Sequence, residues 1–106
     1  MAEVRLSPLA VLDLDGIRDY IRDELFDAEA AERTVDMIVR RLERLERFPS
    51  SGPSLSGLVG HESAYRYLTC GNYIAFYRYE TGFVNVIRIL YSRRDFMRVL
   101  FGPDGM

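Results

Sequence analysis

The chain has 106 residues, 48% of them hydrophobic, and a formal net charge of −2; that is enough for one domain (1–106) with a modest core, and too apolar for a disordered segment. Its apolar residues fall in short periodic groups rather than in a run of roughly 18 or more, and the acidic start MAEVRLS lacks the form of a signal peptide, so a cytoplasmic protein without a membrane span is expected. The single cysteine, Cys70, has no partner for a disulfide and no spaced His or Cys for a metal or redox motif, so no metal and no cofactor is expected.

The charge is unevenly placed. Residues 1–64 hold eight arginines and thirteen acids, a net of −5, whereas residues 65–106 hold six arginines and three acids, a net of +3. All 14 basic residues are arginine. The guanidinium presents a planar fork of donors that suits carboxylates and phosphates, which fits an acidic protein partner or a polyanion; codon usage explains a lysine-free chain equally well.

In chain order, Glu3 to Leu6 reads as a short strand. Ser7-Pro8 then starts a helix, with serine as N-cap and proline in the first turn. Leu14, Ile17, Ile21 and Leu25 recur at three- and four-residue spacing and give that helix a buried stripe despite Gly16 in its interior. Asp27 caps a second helix. Its inward face is Ala31, Val35, Ile38, Leu42 and Leu45, and its arginines and glutamates cover the outside. The helix ends by Phe48-Pro49, because a residue before proline is pushed out of the α region, and SSGPSLSG is a loop. Tyr65 to Cys70 is a strand, Gly71-Asn72 a tight turn, Tyr73 to Tyr79 a second strand, and Thr81-Gly82 another turn.

Phe83 to Tyr91 is the longest β-rich run and reads as a central strand of a meander. Strict alternation places Val84, Val86, Arg88 and Leu90 on one face and Phe83, Asn85, Ile87, Ile89 and Tyr91 on the other. Both faces are largely apolar. One packs on the helices, and the other needs cover from Phe96 to Phe101 or from a partner. The fold class that follows is α+β: an N-terminal helical hairpin on a small, mainly antiparallel sheet, with a short C-terminal helix or tail. The last strand delivers Arg93 and Arg94 to an edge.

Residue types that carry chemistry are sparse. Tyrosines interleaved with Arg66 and Arg78 suit base stacking and phosphate contact, but high β propensity explains them as packing residues, and the negative total charge favours packing. RNA cleavage through the 2'-hydroxyl needs a base, an acid and stabilisation of charge on phosphorus. Arg66, Arg93 and Arg94 fit the last role, Tyr91 fits proton transfer, and Glu62 is the nearest upstream carboxylate; the set is incomplete. His61, in GLVGHES, reads as a surface histidine. No Ser-His-Asp grouping, phosphate loop or zinc spacing is present.

In order and spacing, RLSPLAVLDLDGIRDYI (5–21), LERLERFPSSG (42–52), YRYLTCGNYIAFYRY (65–79) and VNVIRILYSRRDFMRVLFG (84–102) resemble the RelE/ParE superfamily of bacterial type II toxins over nearly the whole chain. The resemblance implies a compact fold of helical hairpin and sheet, and a cognate antitoxin that wraps the toxin. It matches Arg66 to the arginine of the central strand, and sets Tyr91, Arg93 and Arg94 where the family keeps its strand-end functional groups. Nuclease members cut mRNA on the ribosome, whereas ParE-like members poison DNA gyrase. Ile74 stands where the nuclease pattern commonly has arginine, and Tyr91 where many members have histidine. With the acidic helix pair, these departures favour the gyrase-directed branch, in which Arg66, Arg93 and Arg94 are expected to form the target-docking surface. The alternatives are a ribosome-dependent mRNA endonuclease, in which Arg66, Tyr91, Arg93 and Arg94 are catalytic, and a degenerate, non-toxic antitoxin-binding module.

Overall fold

The computed structural model describes residues 1–56 and 64–91, together with 95, 98 and 99. Strand β1 (Glu3–Leu6) leads into helix α1 (Pro8–Asp19), a π-helical turn (Tyr20–Glu24) and helix α2 (Ala28–Glu43), which tightens into a 3-10 turn at Arg44–Glu46. Strands β2 (Tyr65–Cys70), β3 (Tyr73–Glu80) and β4 (Phe83–Tyr91) follow. The sheet order is β1-β4-β3-β2, with β1 parallel to β4 and the other pairs antiparallel. The expected α+β architecture is therefore observed, with β3 and β4 as the inner strands. Of the expected C-terminal segment, Asp95, Arg98 and Val99 have helical geometry and the rest of Phe96 to Phe101 lies outside the described residues.

Local chemistry accounts for the element boundaries. The Ser7 hydroxyl accepts from the Ala10 N–H at 3.0 Å with Pro8 in the first turn, and the Asp27 carboxylate accepts from the Ala30 N–H at 2.9 Å, so each helix has one of its orphan amides satisfied. The turn between β2 and β3 uses Gly71 at φ +62°, and that between β3 and β4 uses Thr81 and Gly82, both at positive φ. Two successive positive φ angles match the right-handed twist of a hairpin.

The main core lies between helices and sheet. Ala10, Leu14, Val35, Ile38, Leu42 and Leu45 meet Cys70, Ala75, Tyr77, Val84, Val86 and Ile89. Burial also pushes the Cys70 thiol up to about 11, which keeps it protonated and unreactive. On the opposite sheet face, Leu55, Phe76 and Leu90 form a second cluster with Tyr65, Tyr67, Ile74 and Ile87 packed against it.

Two expected placements are overturned. Leu25 does not join the buried stripe of the first helix; it is exposed. The Leu25 N–H bonds the Tyr20 carbonyl five residues back, and this wider π-type winding rotates Leu25 off the stripe that runs through Leu14, Ile17 and Ile21. Nor does β4 alternate strictly. Its pairing with β3 steps from Phe76↔Arg88 to Tyr77↔Val86, leaving Ile87 as the extra residue of a bulge. Beyond it the faces exchange, so Ile89 joins Val84 and Val86 toward the helices while Ile87 and Leu90 join the second cluster.

Thr81 holds a β-branched side chain at φ +49°, a conformation that asparagine tolerates better. Thr81→Asn is expected to stabilise the fold by about 0.5–1 kcal/mol, read as a rise of roughly 3–6 °C in Tm by thermal denaturation.

Candidate functional site at the sheet ends

The far half of β4 is held by α1. Strand β1 pairs with β4 only as far as Leu6↔Val86, so among the described residues the remaining edge of β4 lacks a strand partner. Backbone and side-chain groups of the N-cap and first turns of α1 complete it. The Ser7 N–H donates to the Val86 carbonyl at 2.9 Å and the Ser7 hydroxyl to the Ile87 carbonyl at 2.7 Å. Nearly two turns further on, Asp13 accepts from the Ile89 N–H at 2.9 Å and takes Arg88 in a two-pronged ion pair, Nε at 2.8 Å and Nη2 at 2.9 Å. Both side chains are mostly shielded, 24% and 14% exposed for Arg88 and Asp13. The carboxylate holds the Arg88 guanidinium above its already high range, so the guanidinium stays charged at any physiological pH.

This pinned strand ends at Tyr91, which is half exposed and opposite Tyr73 on β3. The two rings meet edge to face, with centroids 5.4 Å apart and planes at 81°. Burial, then the neighbouring Tyr91 and Tyr20 hydroxyls, raise the Tyr73 phenol. At neutral pH it is a hydrogen-bond donor, not a base. Tyr20, at the start of the π-turn, thus brings the helical hairpin to the same sheet end. Arg93 and Arg94, two and three residues past β4, lie outside the described residues, as do His61, Glu62 and Ser92.

Arg66 sits elsewhere. Its strand, β2, is an outer strand, not the central one that the family resemblance assigned to it. Arg66 pairs with Tyr77, four positions along β3 from the Tyr73 that faces Tyr91. Strand geometry sets Arg66 and Tyr91 roughly 16 Å apart at the backbone. The Arg66 guanidinium is turned to the loop after α2, donating to the carbonyls of Ser50 at 3.2 Å and Gly52 at 2.8 Å. Tyr77 holds the same loop from beneath: its hydroxyl donates to the Pro49 carbonyl at 2.9 Å and accepts from the Gly52 N–H at 3.0 Å. A side chain at Gly52 would collide with the Tyr67 carbonyl and the Tyr77 ring. From there the loop runs along β2, through the Tyr67 N–H to Pro53 carbonyl and Leu55 N–H to Tyr65 carbonyl bonds, and shields an edge otherwise open to pairing.

Of the four expected site residues, the structure separates Arg66 from Tyr91 and leaves Arg93 and Arg94 adjoining Tyr91 in sequence. Sequence reasoning missed Asp13, Tyr20 and the loop-holding role of Tyr77. A charged Arg88 inside an apolar strand requires a buried partner, and Asp13, on the inward side of α1 between Ala10 and Ile17, was the signal for it. Among the described residues, no group of three His, Cys, Asp or Glu side chains converges to hold a metal, and no helix is long and apolar enough to cross a membrane.

A helical hairpin laid on a four-stranded sheet of order β1-β4-β3-β2 defines the RelE/ParE-like fold class. Residues 4–96 match the family model described as "ParE toxin of type II toxin-antitoxin system, parDE". The chain belongs to this family of ParE toxins of type II toxin-antitoxin systems. Its fold is similar to a solved chain from the "Chromosomal ParDE TA system from P. aeruginosa", with a TM-score of 0.74 and 24% sequence identity over 88% of this chain and 98% of that one. At that identity the likeness speaks for the fold. Among curated proteins, no match was found.

Replacing Tyr77 by phenylalanine keeps the ring but leaves the Pro49 carbonyl and Gly52 N–H without their partner. Tyr77→Phe is expected to cost about 2 kcal/mol in a denaturant unfolding curve, with proteolysis at residues 49–53 accelerated under native conditions.

Proposed function

We propose that this chain is the growth-arresting toxin of a type II pair, neutralised by a cognate antitoxin, and that it acts by ParE-like inhibition of DNA gyrase and not by cutting RNA. The family match supports the toxin and antitoxin assignment. The gyrase reading rests on the distance between Arg66 and Tyr91. Cleavage at one phosphodiester needs base, acid and charge stabiliser within hydrogen-bond reach of the same group. Arg66, roughly 16 Å along and across the sheet from Tyr91 and engaged with the Ser50 and Gly52 carbonyls, is poorly placed to share a phosphate with it.

In this reading Arg93 and Arg94, which follow the pinned strand in sequence, dock on acidic groups of the target through their forked donors. Tyr91, two residues before Arg93 in sequence, adds an exposed aromatic face. Arg66 contributes by holding the 50–52 loop, so its loss acts through local stability. The antitoxin silences the toxin by covering this surface or by folding against the adjoining helices.

The test is induction without antitoxin, followed by growth, new RNA 5' ends and DNA breaks in the same cultures. Growth arrest with DNA breaks and no codon-phased RNA cuts is expected. Arg93→Ala with Arg94→Ala should abolish arrest while Tyr91→Phe retains it. Codon-phased cuts that vanish in Tyr91→Phe would overturn the reading in favour of a ribosome-dependent nuclease. Absence of arrest with antitoxin binding intact would make the chain a non-toxic module.

A further inference from the structure

The tip of the helical hairpin carries two backbone irregularities that packing within the chain does not explain. Between α1 and α2 the chain winds as a π-turn over Tyr20–Glu24, a departure that is frequent at functional sites. Phe26 then sits at φ +53°, a left-handed conformation that glycine or asparagine takes freely and a bulky side chain only under strain. Burial does not offset that strain. Phe26 is 89% exposed and Leu25 57%, and among the described residues the Phe26 ring makes no aromatic or cation–π contact. Strain of this kind, held without an internal reward, concentrates where a protein meets a ligand or partner.

The extruded side chains adjoin the presenting end of the sheet. The Leu25 N–H bonds the Tyr20 carbonyl at 3.3 Å. Tyr20 is itself exposed and lies close enough to Tyr73 to act on its phenol, and Tyr73 meets the Tyr91 ring. Aromatic and apolar groups therefore follow one another from Tyr91 through Tyr73 and Tyr20 to Leu25 and Phe26. The two ends of this path differ in charge. Residues 19–27 set Asp19, Asp23, Glu24 and Asp27 against Arg22 alone, and Arg22 is already engaged by Asp19 at 3.0 Å and Asp23 at 2.8 Å. Beyond Tyr91 the sequence continues into Arg93 and Arg94.

We infer that the hairpin tip is a second contact of the toxin with its target protein, in which Phe26 and Leu25 enter an apolar pocket of the target rimmed by lysine or arginine. The inference rests on the reading above that the Tyr91 end of the sheet faces the target, and extends that surface across Tyr20 to the tip. Charge selects the occupant. The carboxylates around Phe26 repel the phosphates of nucleic acid and of anionic lipid, and two copies meeting tip to tip would oppose their acidic collars. A basic-rimmed pocket on a protein complements both the ring and the collar. The left-handed backbone holds the ring outward before contact, so a large aromatic anchor is presented with little left to order on binding.

Phe26→Gly in the full chain tests it, with Phe26→Asn as a second variant that also accepts the left-handed backbone. Both remove the ring and relieve the strain, so a Tm no lower than that of the unaltered chain is expected; a lowered Tm in both would make the ring structural and overturn the inference. Induced without antitoxin, each variant should need roughly tenfold more protein to arrest growth, and its binding to purified DNA gyrase, read by biolayer interferometry, should weaken roughly tenfold or more. Arrest as strong as that of the unaltered chain would overturn the inference, and loss of neutralisation by the antitoxin in the same variant would assign the tip to the antitoxin instead. A dimer in sedimentation that Phe26→Gly dissolves would assign it to a second copy. If the unaltered chain arrests growth without binding gyrase, the gyrase reading fails, while weakened arrest in both variants still supports a tip contact with another target. A chain that neither arrests growth nor binds gyrase overturns both.

Discussion

A single carboxylate, Asp13, decides how the helical layer meets the sheet. Strand β1 is four residues long and stops pairing at Val86, which leaves half of a central strand with an open edge. An amide stranded there costs about 1–3 kcal/mol. Asp13 answers it by accepting the Ile89 N–H while neutralising Arg88, and Ser7 answers the Ile87 carbonyl. Helix α1 therefore does along this edge what a longer β1 would have done. Because the ion pair is two-pronged and largely shielded, it is worth more than an exposed pair and is costly to break from one side, about 3 kcal/mol.

The bulge and the pin work together. With Ile87 as the extra residue of β4, the strand changes which side it shows to the helices, and Ile89 enters the core beside Val84 and Val86. The same step puts Leu90 against Phe76 on the far face. Tyr91 then emerges opposite Tyr73 at the end of the sheet. A strand end fixed by an ion pair, a side-chain to amide bond and an aromatic contact is a rigid mount, and interaction surfaces built on rigid elements lose little entropy on docking. At the other end of the sheet, Arg66 and Tyr77 use their polar ends to hold the loop after α2. The sheet thus separates its presenting end from its loop-holding end.

Most of the architecture was legible because its signals are local. Ser7-Pro8 and Asp27 announce the helix starts, Pro49 the end of α2, and Gly71-Asn72 and Thr81-Gly82 the hairpin turns, each through a backbone preference that tertiary contacts did not override. What stayed hidden depends on partners far away in sequence. The bulge at Ile87 leaves no mark in an apolar run that suits either face. The π-turn that expels Leu25 preserves the heptad-like spacing that suggested its burial. Arg66 reads as a site residue from its charge and from the family resemblance, and only its hydrogen bonds across the fold show it turned toward the Ser50 and Gly52 carbonyls. Asp13 reads as one more acid of a polar helix until Arg88 is seen to require it.

The claim that Asp13 secures the end of β4 is tested most directly by native-state hydrogen exchange on Asp13→Ala beside the unaltered chain. The account predicts that amides of Ile89, Leu90 and Tyr91 lose most of their protection, while those of the β2 and β3 pairing exchange close to their original rates relative to global unfolding. Uniform loss of protection across the sheet, or an Ile89 amide as protected as before, would contradict it.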